Sequence, residues 1–479
     1  MNNLDYIANM GFDAIWISPV IANTPGGYHG YWAQNHYAIN TNFGSGQDLI
    51  NLSNAMHAKG MYLMLDVVAN HIGPVGTSLT NDLLFNNGIY PFNSTSHYHS
   101  YCDITNWNDQ NNVEFCWLAD LPDLAQEVPY VTQTFYSWVQ FMIRTYGFDG
   151  LRIDACPEVP VSFWQGFTQA SGVYTVCEVF SGDVGYVMGY QNQGAASATL
   201  NYPMFFSVRQ NIFQGAQSML NIRTYTSSMA GFSNQNLLVN FVDNQDYARF
   251  LSYTNNLNLF KAAIAFSMTW LGIPNLYYGD EQAYAGGNDP NNREILWTNL
   301  QNTNSVMYEF VTQVVNFRKS NQIWQYPIVE RYALDNIYVF TRGNNVMMAF
   351  TNSGNSVTVY VTYHPFPQGA TLCNIFYSTD CVTVASNGIN VTLLNGETKL
   401  YVLKSSTLET LTAGTAWLVH PVHQVNQVHQ VHPVHQVNPV HQVHHISRVS
   451  IVFVYLVYRV YLVYRVYLMY QPCGTNCLV

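Results

Sequence analysis

Residues 150–154 read Gly-Leu-Arg-Ile-Asp, and residues 174–179 read Tyr-Thr-Val-Cys-Glu-Val. Each is a short apolar run that meets a carboxylate at its C-terminal end, as a buried strand emerging into a mouth would. The pattern recurs in Ala14-Ile-Trp-Ile-Ser-Pro-Val20, Met61-Tyr-Leu-Met-Leu-Asp-Val-Val68, Leu237-Leu-Val-Asn-Phe-Val242 and Pro274-Asn-Leu-Tyr-Tyr278. Amphipathic stretches at 47–59, 130–146 and 256–270 predict helices between these strands. Alternating helices and near-continuous apolar strands predict an α/β chain whose parallel sheet closes into a (β/α)8 barrel. The polar candidates then sit at C-terminal strand ends, where barrels build active sites. The predicted barrel takes residues 1–71 and 127–322, interrupted by a polar inserted domain at 72–126. From 323 to 404 short alternating segments such as Val346-Met-Met-Ala-Phe350 and Val357-Thr-Val-Tyr-Val361 predict an antiparallel β domain.

Bulk properties narrow the partner. A formal charge of −11 with only 17 Lys+Arg lacks the cations that displace counterions from phosphates, so nucleic acid is excluded as a partner. Charged residues are 9% and aromatics 15%, a composition that offers stacking faces and neutral hydrogen bonds to a polyol. Cys102 and Cys116 bracket one short polar loop and Cys373 and Cys381 another; oxidised pairs imply an extracellular setting. Sequons at Asn51, Asn93 and Asn390 agree with that, whereas the opening residues Met-Asn-Asn-Leu-Asp-Tyr do not read as a signal peptide.

Asp154 and Glu178 end strands one β/α repeat apart, and Asp246 follows the strand at 237–242. A carboxylate at a strand end is usually a cap or a solvated charge, but three at barrel strand ends converge on one mouth. Glycoside hydrolysis uses one carboxylate as nucleophile and one carboxylic acid to protonate the leaving oxygen, about 5–5.5 Å apart in a retaining enzyme. Arg152, two residues before Asp154 on the same face, is expected to keep Asp154 ionised, and an apolar setting to raise the pKa of Glu178.

Asp66-Val-Val-Ala-Asn-His71, Gly150-Leu-Arg-Ile-Asp154, Glu178-Val179 and Phe241-Val-Asp-Asn-Gln-Asp246 resemble, in order, four signature regions of the α-amylase family of glycoside hydrolases, closest to fungal secreted members. The likeness extends through Tyr28-His-Gly-Tyr-Trp32, Leu121-Pro-Asp-Leu124, Leu200-Asn-Tyr-Pro203 and residues 285–294, covering nearly everything from 4 to 404. The resemblance implies a TIM-type barrel and endo-hydrolysis of α-1,4-glucan by a secreted, monomeric, retaining enzyme. It makes Asp154 the nucleophile, Glu178 the acid/base and Asp246 the carboxylate that orients the sugar. It assigns His29, Tyr31, Trp32, His71, Arg152, Gln245, Asp289 and Arg293 to substrate binding. It assigns calcium to Asn70, Glu114, Asp123 and the backbone carbonyl near Glu158, an all-oxygen set. It pairs Cys102 with Cys116, and leaves Cys156 and Cys177 as free buried thiols. The alternatives are a 4-α-glucanotransferase using the same intermediate, or an impaired amylase-like glucan-binding protein.

Three positions depart from the family pattern. Pro157 and Glu158 stand where Lys-His is usual, and Gln245 where His is usual. A glutamate in place of that pair changes charge and donor capacity on the leaving side. Leu4-Asp-Tyr-Ile-Ala-Asn-Met10 resembles the end of the first barrel helix, so a barrel lacking its first strand is expected, with the strands at 14–20 and 274–278 left unpaired. Residues 405–479 form a low-complexity tail of Val-His-Gln/Pro and Val-Tyr-Leu/Arg repeats, expected to be disordered or frame-shifted. Its regular His suggests metal binding. Its apolar run from Ile451 to Tyr470 has the length of a membrane span, but Arg459 and Arg465 inside that run argue against one.

Overall fold

The protein is described from a computed structural model covering residues 3–300, 302–404 and 449–454. The apolar runs become the parallel strands β1 (Ala14–Ile17), β2 (Tyr62–Val67), β3 (Gly150–Ile153), β4 (Tyr174–Cys177), β5 (Ala198–Thr199), β6 (Val239–Asn240), β7 (Ile273–Tyr277) and β8 (Ile451–Val454). They are hydrogen-bonded in the order β5-β4-β3-β2-β1-β8-β7-β6. A parallel bridge Leu200↔Val239, with Asn201 N–H donating to the Val239 carbonyl at 2.8 Å, closes the ring. Every residue of β1, β3 and β7 is buried. Strands covered on both faces need apolar side chains at every position, which is why these runs do not alternate.

The helices pack around this ring as their periodicity predicts. Gly46–Ala58 opens on a capping box, in which the Ser45 hydroxyl accepts the Asp48 N–H and the Asp48 carboxylate accepts the Ser45 N–H. Pro129–Tyr146 starts with Pro at its first position, ends at Gly147 in the left-handed conformation (φ 70°), and buries Val131, Phe135, Trp138, Val139 and Met142. None of the described helices is long and apolar enough to cross a membrane.

Barrel closure corrects the expectation of a vacant strand. The place between β1 and β7 is taken by Ile451–Val454, running parallel to both with Ala14 opposite Ile451 and Asn275 opposite Ile451 on the other side. The Ser450 carbonyl accepts the N–H groups of Asp13 and Ala14 at 2.9 and 3.1 Å, and the Phe453 carbonyl accepts the Tyr278 N–H at 3.0 Å. The Ser450 N–H donates to Asp13 Oδ2 at 3.0 Å. Ile451, Val452 and Phe453 are 3%, 2% and 1% exposed. The Phe453 ring lies 4.2 Å from Trp16 and 5.7 Å from Tyr277. Ile-Val-Phe-Val is suited to such a slot because β-branched and aromatic residues fit a strand buried on both faces. Residues 449–454 are therefore part of the barrel and not tail. The rest of 405–479, with the histidine repeats and most of the apolar run, lies outside the described residues.

The C-terminal region is antiparallel, as expected. One sheet orders Ile328–Leu334, Ile337–Arg342, Val346–Phe350, Lys399–Leu403, Thr371–Asn374 and Cys381–Thr383, and Val357–Val361 pairs with Ile389–Leu393. Alternate residues of Val357–Val361 are buried, the signature of one covered face. Arg342 ties this sheet to the barrel by donating to the carbonyls of Thr269 and Trp270 at 3.1 and 2.8 Å.

Candidate active site

The parallel register of β2, β3 and β4 decides what meets at the barrel mouth. Asp66 lies opposite Arg152, and Ile153 opposite Cys177, so Asp154 and Glu178 leave neighbouring strands side by side. The Arg152 guanidinium, fully buried, joins three carboxylates: Asp66 at 2.9 Å, Asp154 at 2.5 Å and Glu178 at 2.7 Å. The shared Arg152 guanidinium brings Asp154 and Glu178 close enough for each to influence the other's ionisation. Glu178 takes further donors from the Ala155 N–H (3.2 Å) and the Tyr202 hydroxyl (3.3 Å). Tyr202 is held in turn by the Asn244 amide at 3.0 Å.

Burial dominates the ionisation of these groups. Glu178 is pushed up to about 6 by burial and by the neighbouring Asp154 charge, against the pull of Arg152. Its setting is polar, with three donors, so its rise comes from desolvation and a like charge and not from an apolar lining. Asp154 is also raised, because burial outweighs the lowering by Arg152. Asp246 is raised by burial and Glu178. Its side chain is one third exposed, with Arg293 Nη2 at 3.8 Å.

The remaining residues that the resemblance assigns to substrate binding run from His71 to Arg293 along the same mouth. His71 Nε2 meets the Tyr31 carbonyl at 3.2 Å, and the Tyr31 hydroxyl donates to Asp66 Oδ2 at 2.8 Å. Gln245 Nε2 donates to the Tyr31 hydroxyl at 3.1 Å, while its Oε1 is buried without a partner. The glutamine thus replaces a ring nitrogen with an amide that ends the chain Gln245, Tyr31, Asp66. His29 Nδ1 accepts the Tyr31 N–H at 3.0 Å, and the Trp32 ring stands edge-on to the His29 ring, centroids 4.9 Å apart. Burial and Arg293 lower His29 to about 3, and burial lowers His71 to about 4, so both rings are neutral. Arg293 Nε pairs with Asp289 at 2.7 Å, and the Tyr28 hydroxyl reaches Asp289 at 3.4 Å.

At the edge of the insertion, Asn70, Asp123 and the Glu158 carbonyl converge. The Asn70 side-chain oxygen faces Asp123 Oδ1 at 2.7 Å and the Glu158 carbonyl at 3.0 Å, unless the amide is turned so that its nitrogen donates to both. Three oxygens facing one point need either that turn or a cation. Asp123 Oδ2 is held by His99 Nδ1 at 2.5 Å, and His99 Nε2 by Glu127 at 3.0 Å. Glu114 instead accepts from Gln110 Nε2 at 2.8 Å, which also donates to the Pro157 carbonyl at 2.8 Å. No group of three His, Cys, Asp or Glu side chains among the described residues could hold a metal; the oxygens brought together include an amide and a carbonyl.

Cys102 and Cys116 form the expected disulfide, and Cys373 and Cys381 form another. Cys156 and Cys177 correct the expectation of free thiols: they are bonded to each other, with Cα atoms 5.6 Å apart. Ala155, in the left-handed conformation at φ 47°, turns the chain back toward β4 and brings Cys156 within bonding range. Sequence reasoning also passed over Asp66, Tyr202 and Asn244. Each lay inside a quoted motif, but their part is to hold other site residues, which only the packing reveals.

Residues 1–326 match the family described as alpha amylase, catalytic domain. The chain belongs to the alpha-amylase family. It is 37% identical over 422 residues to Alpha-amylase 2 of Schwanniomyces occidentalis, covering 84% of this chain and 82% of that one. It is also 37% identical to the Alpha-amylase of Saccharomycopsis fibuligera, covering 84% and 83%. The solved alpha-amylase of Malbranchea cinnamomea superposes with a TM-score of 0.78 at 34% identity, covering 84% of this chain and 88% of that one. The fold, site and relatives make the protein a glycoside hydrolase with α-amylase function.

Proposed function

We propose that the enzyme cleaves internal α-1,4 bonds of starch- or glycogen-type glucan with retention, Asp154 acting as nucleophile and Glu178 as acid/base. The observation that carries this reading is the single guanidinium of Arg152 reaching both carboxyls at neighbouring strand ends. Its positive charge favours ionised Asp154, while the raised Glu178 retains a proton into the range near pH 6. Glu178 protonates the leaving glucosyl oxygen as Asp154 attacks the anomeric carbon. Water then enters, gives its proton to Glu178 and displaces Asp154. Asp246, with Arg293 beside it, orients the sugar hydroxyls, and neutral His29 and His71 with Trp32, Gln245 and Asp289 complete the sugar-side wall.

Calcium fits the oxygen cluster of Asn70, Asp123 and the Glu158 carbonyl, with Glu114 nearby; the ion would fasten the insertion to the turn after Asp154. Secretion is supported by the three disulfides and by the exposure of the sequon residues Asn51, Asn93 and Asn390. The test is the first product's anomeric form, followed by proton NMR during hydrolysis of a maltooligosaccharide. The α-anomer appearing first supports retention, and the β-anomer appearing first rejects it. Chain-length redistribution without new reducing ends would instead favour the glucanotransferase reading.

A further inference from the structure

Asp154 and Glu178 are bracketed by a covalent bond that neither carboxyl needs for its own charge. Cys156 is two residues beyond Asp154, and Cys177 immediately precedes Glu178. Both are fully buried, at 0% exposure, at the ends of the strands that carry the reacting groups. Around the bond, the Glu178 N–H donates to the Ile153 carbonyl at 2.8 Å and the Cys156 N–H to the Glu178 carbonyl at 3.2 Å. The Ala155 N–H donates to the Glu178 carboxylate at 3.2 Å, so Glu178 is stitched to the turn 154–158 at two points and to the strand before it at a third. The far end of this turn carries the Pro157 carbonyl, which accepts from Gln110, and the Glu158 carbonyl beside Asn70.

The other bonds on the turn tie it elsewhere and not to Glu178: the Asp154 N–H donates to the Val67 carbonyl at 2.9 Å, Trp164 Nε1 to the Cys156 carbonyl at 2.9 Å, and Gln110 to the Pro157 carbonyl at 2.8 Å. Ala155 holds a positive φ without being glycine, a conformation that persists only where its surroundings enforce it. The two hydrogen bonds that join the turn itself to Glu178, from the Ala155 and Cys156 N–H groups, are both long, at 3.2 Å. A covalent link between the residues flanking both carboxyls cannot give way as hydrogen bonds do.

We propose that the Cys156–Cys177 disulfide is a positioning element of the active site, clamping the turn after Asp154 against Glu178 so that the two carboxyls keep their productive spacing. The inference rests on the assignment of Asp154 and Glu178 given above. A displacement of about 1 Å at reacting groups costs on the order of a hundredfold in rate. Loss of the clamp is therefore expected in kcat, while the sugar-side wall, which it does not touch, keeps KM.

The test compares the full chain with Cys156→Ala/Cys177→Ala, and with Cys373→Ala/Cys381→Ala as a disulfide control in the C-terminal sheet. Starch hydrolysis is measured well below each melting temperature. The expected result is a kcat lowered tenfold or more with KM within twofold in the first variant, and kcat unchanged in the control. A kcat within twofold of wild type, or a loss confined to KM, overturns the proposal. Should the first variant not fold, wild-type enzyme is treated with dithiothreitol, which becomes the cyclic disulfide as each cystine is reduced, and thiols are alkylated and mapped over time. Activity falling in step with labelling of Cys156 and Cys177, while far-UV circular dichroism is retained, supports the clamp. Activity falling with the other pairs, or persisting after Cys156 and Cys177 are labelled, overturns it. A wild-type activity that survives Asp154→Asn would instead break the assignment of the nucleophile, a separate failure.

Discussion

Replacing Phe453 with alanine tests whether a strand from the far end of the chain completes the barrel. The ring is 1% exposed and packed between Trp16 and Tyr277. Truncating a buried phenylalanine costs about 3–5 kcal/mol, from lost transfer and from the cavity left behind. Deleting residues 449–479 costs more, because two neighbouring strands lose a row of partners at once, and each buried unpaired group costs about 1–3 kcal/mol. Four such hydrogen bonds are formed by Asp13, Ala14 and Tyr278 with Ser450 and Phe453 and by Ser450 with Asp13. Together with the apolar burial of Ile451, Val452 and Phe453, the loss is comparable with the roughly 5–15 kcal/mol by which whole domains are stable. The assay is far-UV circular dichroism on heating, paired with starch hydrolysis. Phe453→Ala should lower the melting midpoint by on the order of 10 °C, and the chain ending at Arg448 should neither melt cooperatively nor hydrolyse starch. A chain ending at Arg448 with the full-length midpoint and activity would refute the reasoning.

Other outcomes follow from the site. Glu178→Gln should lower kcat on starch by at least a hundredfold, since general acid catalysis contributes about 10²–10⁴-fold; steady-state rates check it. Because Glu178 must be protonated to act and is raised to about 6, kcat/KM should fall as pH rises through that value, read from a pH–rate profile. Buried Glu158 is raised from 4.5 to about 8, so the folded state binds its proton more tightly than the unfolded. Its contribution is then fully present below pH 4.5 and lost as pH rises toward 8; in chelator, melting curves of Glu158→Gln should show a flatter decline over that window. Chelation alone should lower the wild-type melting midpoint, and Asp123→Asn should reduce that calcium-dependent difference.

The barrel was legible because its strands are buried on both faces and so read as unbroken apolar runs, and Asp154 and Glu178 stood at their ends. The short strand Ala198–Thr199 escaped notice, since two residues carry no period. Ile451–Val454 escaped for a different reason: strand pairing is non-local, and nothing in Ile-Val-Phe-Val says that its partners are Ala14–Ile17 and Ile273–Tyr277. Cys156 and Cys177 looked like packed thiols because their link depends on the left-handed turn at Ala155. The site's motifs named the residues proposed to face sugar, whereas Asp66, Tyr202 and Asn244, which hold those residues, became visible only through hydrogen bonds.

Whether Asp154 is the covalent nucleophile is settled by trapping the glycosyl-enzyme. The full-length enzyme is incubated with a fluorinated α-glucosyl donor that forms the glycosyl-enzyme faster than water releases it, then digested and mapped by mass spectrometry. One added glycosyl mass is expected, on the peptide containing Asp154, and none in Asp154→Asn. A sugar found on another residue, or an active enzyme inactivated without any covalent sugar, would contradict it.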